Sequence, residues 1–395
     1  MKITDLKCAV IGSSPVVRIL TDEGLYGYGQ IEESKPYVKP QVLFYRDLIL
    51  GQDPTDVERV MLNIRRMGAF KPWGSAVSAI EMALWDIAGK AAGLPVYKLL
   101  GGKIRNKVRA YLTGGSSIPG SRPEDCAARA KEVKALDGGY TITKQAVAFH
   151  SEMPHAVDNY FFGEPQSDER YLNRGLLTER GLQHTIDCAI AMKEALGDEV
   201  GLALDCGPGM MVPDAIRLAR ALESHHIMWL EDMITGDYTP YVLADLYRQV
   251  TESTSTPTHT GEQIYLRQNF KDLFEQQAIN IAGPDPADVG GIAEMKWIAE
   301  YADLHGILMA PHGVIDGLFG LAAHVHMCAV MPQNLIAFEC PRSSAEWWCD
   351  IVTGLPEKIV VDGFVDVLEA PGLGVDFIEE EARRYLDEED ASFFD

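Results

Sequence analysis

Three carboxylates stand where short strand-like stretches of this sequence end. The stretches are GLALD, which ends at Asp205, IMWLE, which ends at Glu231, and THTGE, which ends at Glu262. A short, continuous apolar run is typical of a strand buried on both faces of a parallel sheet. Because α/β folds form their sites at the carboxyl ends of such strands, we expect the three side chains to converge. Mg²⁺ prefers converging oxygen ligands, so the sequence predicts a magnesium site. For any one of these acids, a cap on a strand or on the next helix is the alternative.

Strand and helix patterns alternate through the middle of the chain. Eight candidate strands occur there, at 108–112, 140–145, 202–205, 227–231, near 262, and at 279–281, 307–310 and 335–338. Eight strands with helices between them, over about 230 residues, are typical of a (β/α) barrel. The predicted fold class is therefore α/β, a modified TIM-like barrel, with 107–340 as the catalytic domain.

The two ends of the chain have a different pattern. Residues 1–35 alternate apolar and polar residues around the turn DEG at 22–24, which predicts a β-hairpin. Helical patterns follow, so 1–106 is predicted to be an α+β cap domain, and 341–395 is expected to return to it. The acidic end of the chain, 387–395, is expected to fray.

One interval inside the predicted barrel is longer than a connection requires. Residues 146–180 are polar and aromatic and show no strong period. Such long loops are usually functional or serve assembly, and a homo-oligomer is therefore expected. Two histidines of this interval, His150 and His155, are expected to be solvated.

Composition and charge exclude several classes of function. The chain has 395 residues, 47% of them hydrophobic and 24% charged, which is ordinary for a globular protein. A net charge of −23 argues against binding to nucleic acid and to anionic membrane surfaces. The seven cysteines form no CxxC pattern, and the first residues are polar, so we expect reduced thiols and a cytoplasmic protein.

The order of these features resembles the enolase superfamily, and within it the acid-sugar dehydratases of the mandelate racemase subgroup. Besides the three carboxylates, Pro284-Asp285 precedes a Val-Gly-Gly at 289–291, and His312 follows the next strand. The stretch SAIEMALWDIAGKAAGLPVYKLLGGK at 78–103 is similar to the family's cap-to-barrel junction, and PGLGVDF at 371–377 to its closing segment. Together these motifs are specific and span essentially the whole chain.

The resemblance implies a role for each candidate side chain. The Mg²⁺ ligands it implies are Asp205, Glu231 and Glu262. It pairs Asp285 with His312 as a dyad, and it gives Glu339 a hydrogen bond to the substrate carboxylate.

At one position the sequence departs from the family pattern. Lys144 matches the first lysine of a Lys-x-Lys motif, whereas the second position is Ala146. That second lysine is the usual base on the opposite face of the substrate, so a two-base racemase is less favoured. Lys144, or an arginine or tyrosine of the long interval, could act as the base in its place. The segments 27–31 and 66–73 match the cap loops that cover substrate and set specificity.

The chemistry can be derived without the family name. A proton α to a carboxylate is very weakly acidic, so the enediolate that its removal creates must be stabilised, which a bound Mg²⁺ does as a Lewis acid. His312 titrates near neutral pH and suits a general base, and Asp285 would fix its tautomer. Departure of a β-hydroxyl would then give a 2-keto-3-deoxy acid from an aldonate or aldarate.

Alternatives remain open at this point. His312 and Glu339 could be structural, Asp285 could cap a helix, and Lys144 could lie on the surface. Glu81 and Asp86 are expected on the helix surface or between the domains. The chain could also be a racemase or epimerase of an α-substituted carboxylate, or a catalytically silent relative that binds a sugar acid.

Overall fold

The computed structural model describes most of the chain. The described residues are 1–33, 35–66, 74–114, 116–162, 176–207, 209–234, 242–313, 317–340 and 347–395. The strands are β1 (Ile3–Ile11), β2 (Ser14–Thr21), β3 (Tyr26–Gln30), β4 (Lys107–Thr113), β5 (Ile142–Ala146), β6 (Phe161–Phe162), β7 (Leu176–Leu177), β8 (Gly201–Asp205), β9 (Leu230–Glu231), β10 (Thr258–Thr260), β11 (Ile281–Ala282), β12 (Leu308–Met309), β13 (Phe338–Glu339), β14 (Val352–Thr353), β15 (Phe364–Asp366) and β16 (Asp376–Phe377). The α-helices are α1 (Lys39–Phe44), α2 (Arg46–Ile49), α3 (Val57–Arg66), α4 (Gly74–Ala92), α5 (Val96–Leu99), α6 (Pro123–Lys134), α7 (Met153–Ala156), α8 (Glu179–Leu196), α9 (Val212–Ala221), α10 (Ala244–Thr251), α11 (Lys271–Glu275), α12 (Ile292–Leu304), α13 (Leu318–Val330), α14 (Trp348–Ile351) and α15 (Glu379–Ala382).

The central sheet is a parallel barrel, as the strand–helix alternation predicts. Its hydrogen-bonded order is β12-β11-β10-β9-β8-β5-β4-β13, and each of these pairings is parallel. A parallel bridge between Met309 and Leu335, with a 2.8 Å hydrogen bond from the Ile336 amide to the Met309 carbonyl, closes the barrel beside β13. Large side chains such as Tyr111 and Trp229 fill its interior. The carboxyl ends of all eight strands therefore surround one space.

A three-stranded antiparallel sheet, β1-β2-β3, forms the cap together with helices α1 to α4. The predicted hairpin is present between β2 and β3. Strand β3 lies directly against α4, because a Cβ atom at Gly27 or Gly29 would overlap the helix carbonyls of Ala83 or Ala79. Only glycine permits this approach of strand to helix.

A side chain of α4 also caps the N-terminus of the barrel helix α12. The Glu81 carboxylate accepts hydrogen bonds from the backbone amides of Ile292 (2.7 Å) and Ala293 (2.9 Å), which are the first residues of α12. These amides have no partner within their own helix, so a cap-domain side chain takes the place of an N-cap residue. Glu81 is fully buried between cap and barrel.

The C-terminal segment first adds β15 antiparallel to β4 and then packs on the cap sheet. The expectation that the acidic end frays is wrong. The Arg18 guanidinium donates to the Phe393 carbonyl (3.0 Å), and the Phe393 and Phe394 side chains are buried. Burial of each aromatic side chain stabilises the folded chain by roughly 1.5–3 kcal/mol. This gain keeps the end of the chain packed although the residues around it are acidic.

The helices of the described part of the chain are too short or too polar to cross a membrane. The exact boundaries 1–106, 107–340 and 341–395 stay a prediction.

Candidate active site at the carboxyl end of the barrel

The three predicted metal ligands lie at one end of the barrel. Asp205 and Glu231 are the last residues of β8 and β9 and pair in register, and Glu262 follows β10 by two residues. All three are buried or nearly so, with 9%, 0% and 9% of their surfaces exposed. The buried residues that precede Asp205 and Glu231 are apolar, so the acid is reached only where each of these strands leaves the sheet. Before Glu262, β10 consists of the buried polar residues Thr258, His259 and Thr260.

Lys144, near the end of β5, lies among these carboxylates. Its Nζ is 2.6 Å from Glu231 Oε1, 3.2 Å from Glu339 Oε2 and 3.5 Å from Asp205 Oδ2. Burial disfavours the ammonium, but the charges of Glu231 and Glu339 outweigh it and hold the pKa of Lys144 well above its usual value. The surface position considered for Lys144 is excluded, since 1% of the residue is exposed.

A fourth acid, Asp232, belongs to the same cluster. Carboxylate oxygens of Glu231, Asp232 and Glu262 lie within 4.8 Å of one another, and Asp232 also accepts a hydrogen bond from Thr260 Oγ1. Asp205 joins this group through Lys144. The sequence signal was the second acid of the pair Glu231-Asp232, and a backbone φ of 48° at Asp232 turns its side chain inward, where a straight strand would point it away.

The donor set fits the predicted cation. All of its atoms are carboxylate oxygens, which Mg²⁺ prefers, and they are shielded from solvent. Lys144 lies within 3.5 Å of Asp205 and Glu231, and Asp232 and Glu262 add two further carboxylates, so the cluster carries negative charge that a divalent cation would balance.

His312 and Asp285 form the predicted pair. His312 Nδ1 lies 2.8 Å from Asp285 Oδ2, and His312 Nε2 lies 3.3 Å from Glu262 Oε2. Burial opposes the charged imidazole, but the charges of Glu262 and Glu339 and the hydrogen bond with Asp285 raise the pKa of His312 well above its usual value. Although burial acts in the opposite direction, the hydrogen bond with His312 keeps the pKa of Asp285 below its usual value.

Glu339 closes the ring of acids at the end of β13. It accepts hydrogen bonds from Thr113 Oγ1, from Tyr111 Oη at 3.1 Å and from Lys144 Nζ at 3.2 Å. Burial would raise its pKa, but Lys144 and His312 lower it to about 2. In this ionised form Glu339 accepts hydrogen bonds only, and donation to a substrate carboxylate requires its protonation.

The cap contributes a carboxylate that the sequence analysis did not single out. Ligand atoms of Glu32, Asp285 and His312 lie within 4.8 Å of one another. Lys35 Nζ is 2.7 Å from both Glu32 and Asp288, and so connects the cap to the loop that carries Asp285. Burial and the charge of Asp288 raise the pKa of Glu32 to about 7. A single glutamate in a polar loop carries no sequence signal for this position.

The predicted specificity segments are placed only in part. Residues 27–30 belong to β3, while 67–73, most of the second cap segment, lie outside the described residues. Within the long interval, 163–175 also lie outside them. His150 is not simply solvated, because its Nδ1 is 3.9 Å from Asp205 Oδ1.

Comparison with known proteins shows the family of this chain. Residues 10–101 match the Mandelate racemase / muconate lactonizing enzyme, N-terminal domain, and residues 127–382 match the Enolase C-terminal domain-like family. The chain belongs to the mandelate racemase subgroup of the enolase superfamily.

Relatives from this superfamily match almost the whole chain. A D-xylonate dehydratase of Haloferax volcanii is 30% identical over 95% of this chain and 86% of its own length. A D-galactonate dehydratase of Pectobacterium atrosepticum is 28% identical over 92% of this chain and 88% of its own length. Among solved structures, a mandelate racemase/muconate lactonizing enzyme-like protein from Rubrobacter xylanophilus has a TM-score of 0.83 and 31% identity, with 98% of each chain covered. The cap-and-barrel fold is therefore that of the superfamily.

Proposed function

We propose that this protein is a Mg²⁺-dependent lyase that removes water from a sugar acid and releases a 2-keto-3-deoxy acid. The observation that carries the proposal is the His312–Asp285 pair, with a separation of 2.8 Å, facing a buried carboxylate cluster across 3.3 Å. Relatives named D-xylonate and D-galactonate dehydratase support a hydro-lyase and a sugar-acid substrate.

His312 is the proposed general base. The raised pKa of His312 is caused by the charges of Glu262 and Glu339, and a divalent cation bound at the cluster would balance that charge and favour the neutral ring. With Asp285 accepting the Nδ1 proton, the lone pair of the neutral ring then lies on Nε2, which points into the site. Nε2 removes the proton at C2 of the substrate, and the resulting imidazolium, stabilised by Asp285, donates that proton to the C3 hydroxyl as it leaves. A positioned group of this kind typically accelerates proton transfer about 10²–10⁴-fold.

Asp205, Glu231 and Glu262 are the proposed cation ligands, with Asp232 beside them. When bound there, Mg²⁺ supplies Lewis-acid stabilisation of the negative charge that develops on the substrate carboxylate. Glu339, held by Tyr111, Thr113 and Gly313, marks the opposite wall of the same space.

Lys144 has a different part in this proposal. Its ammonium is within 3.5 Å of three carboxylates, and its pKa is raised, so it holds its proton at neutral pH. It therefore neutralises and positions Glu231 and Glu339. Within the described residues of β5, Ala146 stands at the position of the second lysine of the family pattern, which favours dehydration over racemisation.

A screen for 2-keto acid formation tests the proposal. Purified protein with Mg²⁺ is offered aldonic and aldaric acids of varied stereochemistry, with EDTA-treated protein as the control. Turnover of one or a few acids, lost with EDTA, is the expected result. No turnover on the panel, combined with exchange of the C2 proton in D₂O, would instead identify an epimerase or racemase. Absence of both would contradict the proposal.

Two further expectations concern the whole protein. A homo-oligomer stays a prediction, which size-exclusion chromatography with light scattering measures directly. The cytoplasmic location, without nucleic acid or membrane partners, also stays a prediction.

A further inference from the structure

A cavity of about 360 Å³ opens beside the proposed cation site, next to the end of β5. Lys144 and Asp205 contribute to its lining, which connects it to the carboxylate cluster. Ala146, Arg129 and His150 line it as well. Its volume is within the range of small-molecule sites, roughly 300–1,000 Å³. The short side chain of Ala146 leaves space at the position where the family pattern has a lysine.

The turn that carries His150 is fixed to the end of β8. The Val147 amide donates to the Asp205 carbonyl at 2.8 Å, and the His150 amide donates to the Cys206 carbonyl at 3.2 Å. The backbone of His150 approaches Gly207 so closely that a Cβ atom there would lie 2.9 Å from the His150 nitrogen. Gly207 is therefore required for this contact.

Backbone strain marks the same turn. Ala148 has a φ of 49°, a left-handed conformation that is rare for a residue with a side chain. Strain of this kind persists only where the surroundings impose it, and it is concentrated at functional sites. The His150 ring is consequently held beside Asp205 although about half of its surface is exposed, 49% by side chain.

Arg129 supplies a second polar group to the cavity. Its Nε donates to Gln145 Oε1 at 2.7 Å and its Nη1 to the Ile118 carbonyl at 3.4 Å, so the guanidinium is held in place on α6. The imidazole of His150 and the remaining N–H groups of Arg129 can hydrogen-bond to hydroxyls of a ligand.

We propose that this cavity is the subsite for the hydroxylated chain of the substrate beyond C3, and that His150 is a specificity-determining residue that hydrogen-bonds to a hydroxyl there. The inference rests on the proposed function, since the substrate carboxylate must lie at the carboxylate cluster for its chain to enter the cavity. The subsite is expected to favour acids with five or six carbons over acids with four, because only the longer chains carry hydroxyls beyond C4 that fill the cavity.

Kinetics with acids of two lengths test this subsite. kcat and KM are measured for a six-carbon aldonate and for a four-carbon aldonate of the same C2 and C3 configuration. Where the four-carbon acid turns over too slowly, its Ki as a competitive inhibitor replaces KM. The variants are His150→Gln and Ala146→Leu, with His155→Gln as a matched control on the same segment but not on the cavity lining.

The flexible amide of glutamine does not hold its donor and acceptor where the imidazole ring is held. His150→Gln is therefore expected to raise KM for the six-carbon acid about 3- to 10-fold, the cost of one neutral hydrogen bond, with a smaller effect on kcat and on the four-carbon acid. Ala146→Leu, which fills the cavity, is expected to lower kcat/KM for the six-carbon acid on the order of tenfold. His155→Gln should change neither acid.

Three outcomes would overturn the inference. The first is an equal loss for both acids in His150→Gln. The second is weaker Mg²⁺ binding by His150→Gln in calorimetry, which would make His150 part of the cation site. The third is unchanged length selectivity in Ala146→Leu. Wild-type protein that dehydrates none of the acids would contradict the proposed function itself, a result that is visible before any variant is made.

Discussion

His326 permits a quantitative prediction about acid stability. This histidine lies on α13, is fully buried, and donates from Nε2 to the Leu373 carbonyl at 3.0 Å. Its Nδ1 faces the Tyr97 amide at 3.4 Å, so that nitrogen accepts a hydrogen bond. In the neutral form both ring nitrogens make hydrogen bonds. Protonation of Nδ1 would place its N–H group against the N–H group of Tyr97 and break that hydrogen bond. Burial lowers the pKa of His326 from 6.5 to about 4.

The sign and size of the effect follow from proton linkage. Between pH 6.5 and about 4 the unfolded chain binds the His326 proton and the folded chain does not, so folding stability falls as the pH falls. The difference between the pKa of His326 in the unfolded and folded chains lowers the unfolding free energy by about 2 kcal/mol between pH 7 and pH 5. The loss reaches about 3 kcal/mol at a pH where His326 is protonated in both the folded and the unfolded chain. A loss of that size is a large fraction of a typical folding free energy.

The assay is guanidinium chloride unfolding at pH 7 and pH 5, followed by circular dichroism, for the wild type and for His326→Gln. Other titrating groups are common to both proteins and cancel in the difference. We expect the loss of unfolding free energy on acidification to be about 2 kcal/mol smaller in the variant. An exposed histidine, His226, provides the control, and His226→Gln should behave as the wild type. Equal acid sensitivity of wild type and His326→Gln would refute the reasoning, since His326 would then titrate alike in both states.

Three further predictions concern the site and its support. His312→Asn should lower kcat by about 10²-fold or more while calorimetric Mg²⁺ affinity stays near wild type; loss of Mg²⁺ binding would show that His312 is a ligand or a structural residue. Glu231→Ala should lose both Mg²⁺ binding and turnover, and an active variant would remove Glu231 from the cation site. Glu81→Ala should lower the unfolding free energy by about 2 kcal/mol, because it leaves two buried α12 amides without an acceptor. Glu81→Gln keeps one acceptor oxygen and should cost less in the same denaturation assay, whereas equal losses would argue against the capping role.

The barrel was predictable because its signals are local. Several strand ends combine an apolar run with an acid, and this pattern predicts that Asp205 and Glu231 are neighbours in space. The pairing of His312 with Asp285 was implied by the family resemblance. Strand length was harder to predict from the sequence. The predicted strand covers 227–231, whereas β9 covers Leu230–Glu231, because strand boundaries depend on hydrogen bonds to neighbouring strands. The fold class followed from the number and order of strands, which does not require their boundaries.

The long-range contacts were not predictable from local patterns. Glu32 approaches His312 from another domain, and His150 reaches Asp205 through a turn with a left-handed residue. Glu81 could be placed only as a surface or interdomain acid, because its partners are amides about 211 residues further along the chain. The charge of the final segment suggested that it frays. The segment is instead held on the cap by the buried side chain of Phe393.

The contact between β3 and α4 limits how this protein could have diverged. Gly27 and Gly29 lie against the helix backbone and leave no room for a side chain, so neither position can accumulate substitutions without separating strand from helix. In this part of the cap, substitutions that alter substrate preference are therefore expected after Gln30, where Glu32 lies. Directed-evolution libraries for a new sugar acid should leave positions 27 and 29 unchanged and should begin beyond the end of the strand.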